Sequence, residues 1–283
     1  MEKYRFLTVE ESGGILYYDN GVYIQGGHVL IEKEAENLFA NVLVNKHLSE
    51  IKGHIMRRTY KKDEIDSDIN IINLKNGLYN INTNEIKPQS ADHLSINQLP
   101  ISYNPKAKPK LFGKFFSQVL YPTEIRTAVE AMAYTFHRDC PFEHYFVLLG
   151  NGSNGKSVYT TLLTELHGRK NVSNVSLFSL IENRFAKSDL ENKDVNIDTE
   201  FPDTIIKDTS LMKKLTGGRK QPISIERKNQ RAYDTCLYAK LFFNTNSLPK
   251  INDQTDAHFR REVIISFPYK FEGRKADPCT KIN

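Results

Sequence analysis

Apolar residues in this chain change their period several times, and each change marks an element. Ile15-Leu16-Tyr17-Tyr18 and Val22-Tyr23-Ile24 flank Asp19-Asn20-Gly21, two short β-rich runs around a turn sequence that accepts positive φ. That pattern predicts a hairpin. From Ile31 to Met56 the chain is mostly polar, with Leu38, Val42, Leu48, Ile51 and Ile55 at helical spacing. A second hairpin is predicted from Ile69–Leu74 and Leu78–Ile81 about Lys75-Asn76-Gly77. Prolines and lysines then break the pattern over Tyr103–Lys110, which places a domain boundary there. Residues 1–110 read as a small α+β domain and residues 111–283 as a second domain. The second opens with a helical segment, 111–140: Phe112, Phe115, Phe116 and Val119 share one helix face, and Pro122-Thr123-Glu124 starts another helix carrying Ile125, Val129 and Met132. Apolar runs at Tyr145–Leu149, Tyr238–Phe243 and Val263–Phe267, with an alternating run ending at Asp198, predict the strands of a core over 141–272.

The run Gly150-Asn151-Gly152-Ser153-Asn154-Gly155-Lys156-Ser157 reads G-x-x-x-x-G-K-S between the strand Tyr145–Leu149 and the apolar-periodic stretch Val158–Leu163. Strand, loop and helix in that order are the context a phosphate-binding P-loop needs. Its glycines let backbone N–H groups curl around phosphates, and the helix N-terminus adds a favourable field for the anion. Lys156 is placed for the outer phosphates and Ser157 for Mg²⁺. The expected cofactors are therefore ATP and Mg²⁺.

Downstream acids and amides extend that reading. In Lys193-Asp194-Val195-Asn196-Ile197-Asp198-Thr199-Glu200, Asp198 and Glu200 fall on one side of an extended chain, where a P-loop enzyme holds Mg²⁺ and its attacking water. Asn246 follows an apolar strand; it either holds the water or terminal phosphate, or caps the Ser247-Leu248-Pro249 turn. Arg260 and Arg261 precede the last strand, as a solvated pair or as an arginine finger. Arg57–Lys62 fits a solvated helix end better than a nucleic-acid contact.

Composition narrows the class. The net charge of +5 permits nucleic-acid contact. Three widely spaced cysteines form no metal or disulfide framework and suit a reducing compartment. No apolar run reaches the length of a transmembrane helix, and Met1–Arg5 lacks the apolar segment of a signal peptide. The expectation is a cytoplasmic protein, in the host cell if it is viral or phage, with no membrane partner.

Taken in order, Gly-Asn-Gly-Ser-Asn-Gly-Lys-Ser, Asn-Ile-Asp-Thr-Glu, Leu-Met-Lys-Lys-Leu-Thr-Gly-Gly, Phe-Asn-Thr-Asn-Ser-Leu-Pro and Phe-Arg-Arg-Glu-Val resemble the motifs of superfamily-three helicases, closest to the phage, plasmid and poxvirus primase–helicases. Tyr-Tyr-Asp-Asn-Gly-Val-Tyr, Asn-Leu-Lys-Asn-Gly-Leu-Tyr-Asn-Ile-Asn-Thr and Ile-Ser-Tyr-Asn-Pro-Lys-Ala, at the start of the chain, resemble the domain ahead of the motor in that branch. The resemblance implies an α/β, AAA+-type P-loop ATPase with a central parallel sheet, forming a homo-oligomeric ring, usually a hexamer, on single-stranded or forked DNA. It implies that Glu200 is the Walker B glutamate, Asp198 a metal ligand and Asn246 the sensor. One of Arg260 and Arg261 is the finger, with Arg261 preferred. Lys220, Arg227 and Lys228 fall in the region that carries a DNA-gripping hairpin, where basic side chains on a turn neutralise phosphates without reading sequence. A separate primase or other replication proteins are the implied partners. The chain starts near its first hairpin and stops soon after Phe271, so neither priming nor the family's C-terminal helices are expected of it. Two other classes fit a P-loop: a small-molecule kinase with Asp198 or Glu200 as base, and an assembly factor that binds ATP to form a ring with little turnover.

Overall fold

Strands β1 (Phe6–Val9), β2 (Ile15–Asp19) and β3 (Val22–Ile24) open the chain. At the β2–β3 turn Asn20 and Gly21 take φ of 45° and 92°, the two successive positive values that match a turn to the twist of a hairpin. This computed structural model describes residues 3–9, 13–61, 65–199, 210–248 and 259–271. It divides into two units, Met1–Tyr103 and Asn104–Asn283.

In the first unit the single predicted helical stretch is two helices, α1 (Gly27–Phe39) and α2 (Asn45–Thr59). The break between them changes the phase of the apolar stripe. Of the apolar residues at helical spacing, Leu38 and Val42 are 74% and 68% exposed, Ile55 is buried, and Ile31 and Ala35 form the buried face of α1. Arg57 and Arg58 end α2 as an exposed basic turn, and the chain continues into a two-residue strand, β4 (Tyr60–Lys61), parallel to β1. The sheet order is β3-β2-β1-β4. The second hairpin, β5 (Ile71–Leu74) with β6 (Gly77–Asn80), extends through β7 (Glu85–Lys87) to a three-stranded antiparallel sheet.

The second unit begins with α3 (Lys110–Val119) and α4 (Ile125–Tyr134), separated where Pro122–Glu124 predicts. Val129 is 37% exposed, and Ala128 and Ala131 take the core side of α4. Then follow β8 (Tyr145–Leu149), α5 (Lys156–His167), β9 (Val172–Ser173), α6 (Leu177–Glu182), β10 (Val195–Asp198) and α7 (Ser210–Leu215). A small hairpin, β11 (Ile223–Ile225) with β12 (Tyr233–Thr235), precedes β13 (Lys240–Thr245) and β14 (Glu262–Ser266). Five strands form an all-parallel sheet ordered β14-β8-β13-β10-β9. In order of appearance that is 5-1-4-3-2.

Alternation along the strands splits the core into two layers. Phe146, Leu148, Val195, Ile197 and Phe242 pack with α3, α4 and α5. Tyr145, Val147, Leu241 and Phe243 pack with α6, α7 and the small hairpin. The fold is thus α/β with helices on both faces of a parallel sheet, as the sequence implied. No helix of the described residues is long and apolar enough to cross a membrane.

Candidate nucleotide site

In an open parallel sheet a ligand binds beyond the carboxyl ends of the strands, where the strand order reverses. Here the chain leaves β8, the strand next to the β14 edge, for the far edge, returns through β10 and β13, and passes β8 to reach β14. The Gly150–Gly155 loop sits at the carboxyl end of β8, and α5 starts at Lys156. Tyr159 holds that helix in place. It is fully buried, meets Phe116 edge-on at 6.0 Å, and donates its hydroxyl to the Ala128 carbonyl at 2.8 Å.

The loop's conformation depends on its glycines. Gly155, the residue before the helix, has φ of 97°, and a Cβ there would lie 2.8 Å from Val119 Cγ1. A Cβ on Gly150 would lie 2.6 Å from the Phe267 carbonyl oxygen. Gly155→Ala is therefore expected to destabilise the unit by about 1–3 kcal/mol and to weaken triphosphate binding, measured by thermal denaturation beside a nucleotide titration. A variant with unchanged melting and affinity would show that the loop does not need this conformation.

Lys156 is 8% exposed, and its ammonium donates to the Gly150 carbonyl and to Asn246 Oδ1, the latter at 3.3 Å. Burial holds its pKa below the ordinary lysine value. Lys156 and Asn246, far apart in sequence, are thus brought together. β13 lies beside β8 in register Thr245↔Leu149, and Gly150 N–H donates to the Thr245 carbonyl at 3.1 Å. Asn151, Gly152, Ser153 and Ser157 are exposed at the mouth. Asn154 is turned inward instead: it is 4% exposed and donates to the Phe267 carbonyl at 3.3 Å. Its side chain braces the loop against the segment after β14.

One buried polar atom fits a ligand-bearing site. Asn244 lies on the α5 face of β13, two residues beyond Phe242, and its Oδ1 is buried without a hydrogen-bond partner among the described residues. An orphaned buried acceptor costs free energy, and its place below the start of α5 suits a group that arrives with the nucleotide. A triphosphate thus fits the exposed loop and Lys156, and a hydrated Mg²⁺ fits the exposed Ser157.

Asp198 has a different setting from the one the sequence suggests. Asn196 and Asp198 point to the α6 face of β10, while Val195 and Ile197 face α5. Asp198 is 3% exposed, and its Oδ2 accepts the Leu177 N–H at 2.8 Å, so one carboxylate oxygen braces the first turn of α6. Glu200 lies outside the described residues.

The two arginines separate clearly. Arg261 is 4% exposed and ion-paired with Glu143. The Arg260 side chain is 66% exposed, and its Nη2 lies 3.5 Å from the same carboxylate. Both sit before β14, whose Glu262 pairs with Tyr145 and whose Ser266 pairs with Leu149. They are therefore at the amino end of the sheet, opposite the P-loop. The five residues of β8 span about 16 Å at roughly 3.3 Å each.

The basic turn also divides. Arg227 is ion-paired with Glu191, which also accepts the Tyr233 hydroxyl at 2.8 Å. Lys220, Lys228 and Arg231 are exposed, the last two in the loop between β11 and β12. Arg227 anchors the start of that loop, and Lys228 and Arg231 are exposed beyond it.

Sequence reading missed a buried polar chain behind the site. Thr135 Oγ1 and His167 Nε2 are 2.7 Å apart, and His167 Nδ1 and Asp194 Oδ2 are 3.0 Å apart. Hydroxyl, imidazole and carboxylate in series have the connectivity of an acyl-transfer triad. Thr135 is 1% exposed and donates to the Met132 carbonyl, so the chain instead ties the end of α5 to the start of β10. No spacing signal marks it, since its three members come from separate elements.

Two family models match the chain, and the first of them runs past Tyr103 through α3. Residues 9–121 match a family described as D5 N terminal like. Residues 148–261 match a family of unknown function (DUF5906). No curated protein matches the chain. An A-form apo structure of the NrS-1 C-terminal region is 12% identical, with a TM-score of 0.61 over 99% of this chain and 62% of that one. Another apo structure of that region gives 12% identity and a TM-score of 0.58 over 94% of this chain and 59% of the other. A JCV helicase structure is 17% identical over 58% of this chain and 46% of that one, at a TM-score of 0.37, too low to bear on the fold. The chain spans less than two thirds of the NrS-1 region, and at that identity the likeness concerns fold alone. The D5 N terminal like match over residues 9–121 accords with the resemblance of the chain's motifs to the superfamily-three primase–helicases, and the NrS-1 likeness accords with its fold.

Proposed function

We propose that this chain is the ATP-hydrolysing motor module of a viral, phage or mobile-element replication helicase, working as a ring of copies on single-stranded DNA. The observation that carries the proposal is the meeting of Lys156 with Asn246 at the carboxyl edge of a 5-1-4-3-2 parallel sheet. Lysine binds the outer phosphates as a charge, and the amide beside it is placed to sense them. Bound ATP and Mg²⁺ supply the scissile anhydride and the charge neutralisation of phosphoryl transfer. The chain's own contribution is positioning: the loop N–H groups and Lys156 orient the phosphates, Ser157 offers a hydroxyl to the metal, and Glu200 is assigned to polarise water. Asp198 is assigned to hold α6 against β10, with any metal contact secondary.

The arginines support the ring. Since Arg260 is exposed at the opposite end of the sheet from its own P-loop, the nucleotide it can reach is a neighbouring copy's. Arg260 is accordingly the better finger, and Arg261 the buried brace beneath it. DNA is assigned to Lys228, Arg231 and Lys220, whose exposure suits phosphate contact.

Steady-state ATP hydrolysis with and without single-stranded DNA, beside native mass measurement, tests the reading. Turnover stimulated by DNA, and falling as salt rises, is the expected result. Lys228→Ala with Arg231→Ala should remove the stimulation and leave basal turnover. Nucleotide-dependent rings with negligible turnover would identify an assembly factor instead. Turnover by monomers, indifferent to DNA, would identify a kinase-like enzyme.

A further inference from the structure

A cavity of about 360 Å³ opens beside the P-loop, with Gly150, Gly152 and Asn246 on one wall and Tyr121, Pro268 and Tyr269 on the other. Three ties shape its outer wall. Asn154 donates to the Phe267 carbonyl at 3.3 Å, and Phe271 N–H donates to the Ser153 carbonyl at 2.7 Å. The segment after β14 is thus fastened to the P-loop at both ends, and Pro268-Tyr269-Lys270 arches between the fastenings. Glu124, in the turn that carries Tyr121, accepts Ser266 N–H at 2.8 Å. That bond holds the Tyr121 turn against the end of β14.

The two tyrosine rings stand 5.9 Å apart, edge toward face. They are 46% and 43% exposed. Aromatic faces left open beside a phosphate loop are a stacking platform without an occupant. The volume lies in the range of small-molecule sites, and a base tethered to a triphosphate on this loop has its nearest apolar wall here. The geometry points to Tyr121 and Tyr269 as a clamp on one side of the nucleobase of the bound triphosphate: the two rings touch each other, so the base stacks on their exposed faces and not between them. The inference rests on the nucleotide-site reading above and adds to it the choice of base.

The wall also sets specificity. Among the described residues that line the cavity, no carboxylate is present and Lys270 is the one charge. Asn154 and Asn246 each have one side-chain group engaged, with the Phe267 carbonyl and Lys156, and the Asn151 amide on the same lining both donates and accepts, so it pairs with either purine. Selection therefore comes from stacking area, which favours purines over pyrimidines and separates ATP from GTP weakly, because every base has a π-face.

The test titrates the full chain with ATP, GTP, CTP and inorganic tripolyphosphate. The wild type should bind ATP and GTP alike and CTP more weakly. Tyr269→Ala should weaken both purine nucleotides by about tenfold, the scale of one stacked base, with tripolyphosphate affinity unchanged. Tyr269→Phe should restore the loss, and Tyr121→Ala should act in the same direction. Unchanged ATP affinity in Tyr269→Ala, an equal loss for tripolyphosphate, or strong rejection of GTP would each overturn the clamp while leaving the P-loop reading intact. If the wild type bound neither ATP nor tripolyphosphate, the P-loop reading would fail first and the clamp with it.

Discussion

Lys156→Ala is expected to lose triphosphate binding while keeping its fold. Removing one partner of a desolvated charge pair costs about 2–5 kcal/mol, roughly thirtyfold to several thousandfold in affinity. The fold should survive because the ammonium's partners are the Gly150 carbonyl and Asn246, both at the site itself. Its depressed pKa sharpens the contrast. A lysine whose folded pKa lies below its unfolded value disfavours the folded state while it is charged, and that penalty fades as pH rises through the lowered value. At neutral pH the alanine variant should therefore melt no lower than the wild type without nucleotide. A phosphate beside the ammonium raises the pKa again, so binding should take up protons at alkaline pH and weaken as pH rises. Calorimetry in buffers of different ionisation enthalpy reads that uptake, which Lys156→Ala should lack. Wild-type affinity in the variant would remove Lys156 from the site.

Arg260→Ala should bind ATP normally and lose hydrolysis by about a thousandfold or more, the range of an arginine finger. The cation is needed where charge develops, so turnover should suffer before binding does. Mixed with Lys156→Ala, it should regain activity at those interfaces where an intact P-loop meets an intact arginine. Arg261→Ala should behave differently. It leaves Glu143 without its buried partner, a change that costs about 3–5 kcal/mol. Arg260, 3.5 Å from the same carboxylate, offsets part of that loss. Lowered melting, with hydrolysis falling only as folded protein is lost, is the expected signature. Should Arg261→Ala melt normally yet stop hydrolysis while Arg260→Ala stays active, the two roles reverse. A per-subunit rate that holds constant down to concentrations where native mass shows monomers would overturn the shared site altogether.

What could be read from the chain alone was what local chemistry dictates. A turn needing two positive φ angles shows itself as Asn20-Gly21. The phosphate-loop pattern shows itself because backbone curvature, a charge and a hydroxyl must occur at fixed spacing between a strand and a helix. The parallel strands were legible as apolar runs because both of their faces are buried. Direction and partnership were not legible, since they depend on residues distant in sequence. Ile31–Met56 keeps a plausible helical period across a break, and only packing shows that Leu38 and Val42 face outward. Arg260 and Arg261 are neighbours of the same type. The position of Glu143, brought in from the start of another strand, makes one a buried brace and leaves the other exposed. Asp198 ends its strand as predicted, yet the α6 amide at Leu177 sets the direction of its carboxylate. Tyr121 and Tyr269 carry no local signal at all. They meet because Glu124, Ser153 and Asn154 fasten two distant segments around one loop, and long-range closure of that kind is decided by tertiary packing.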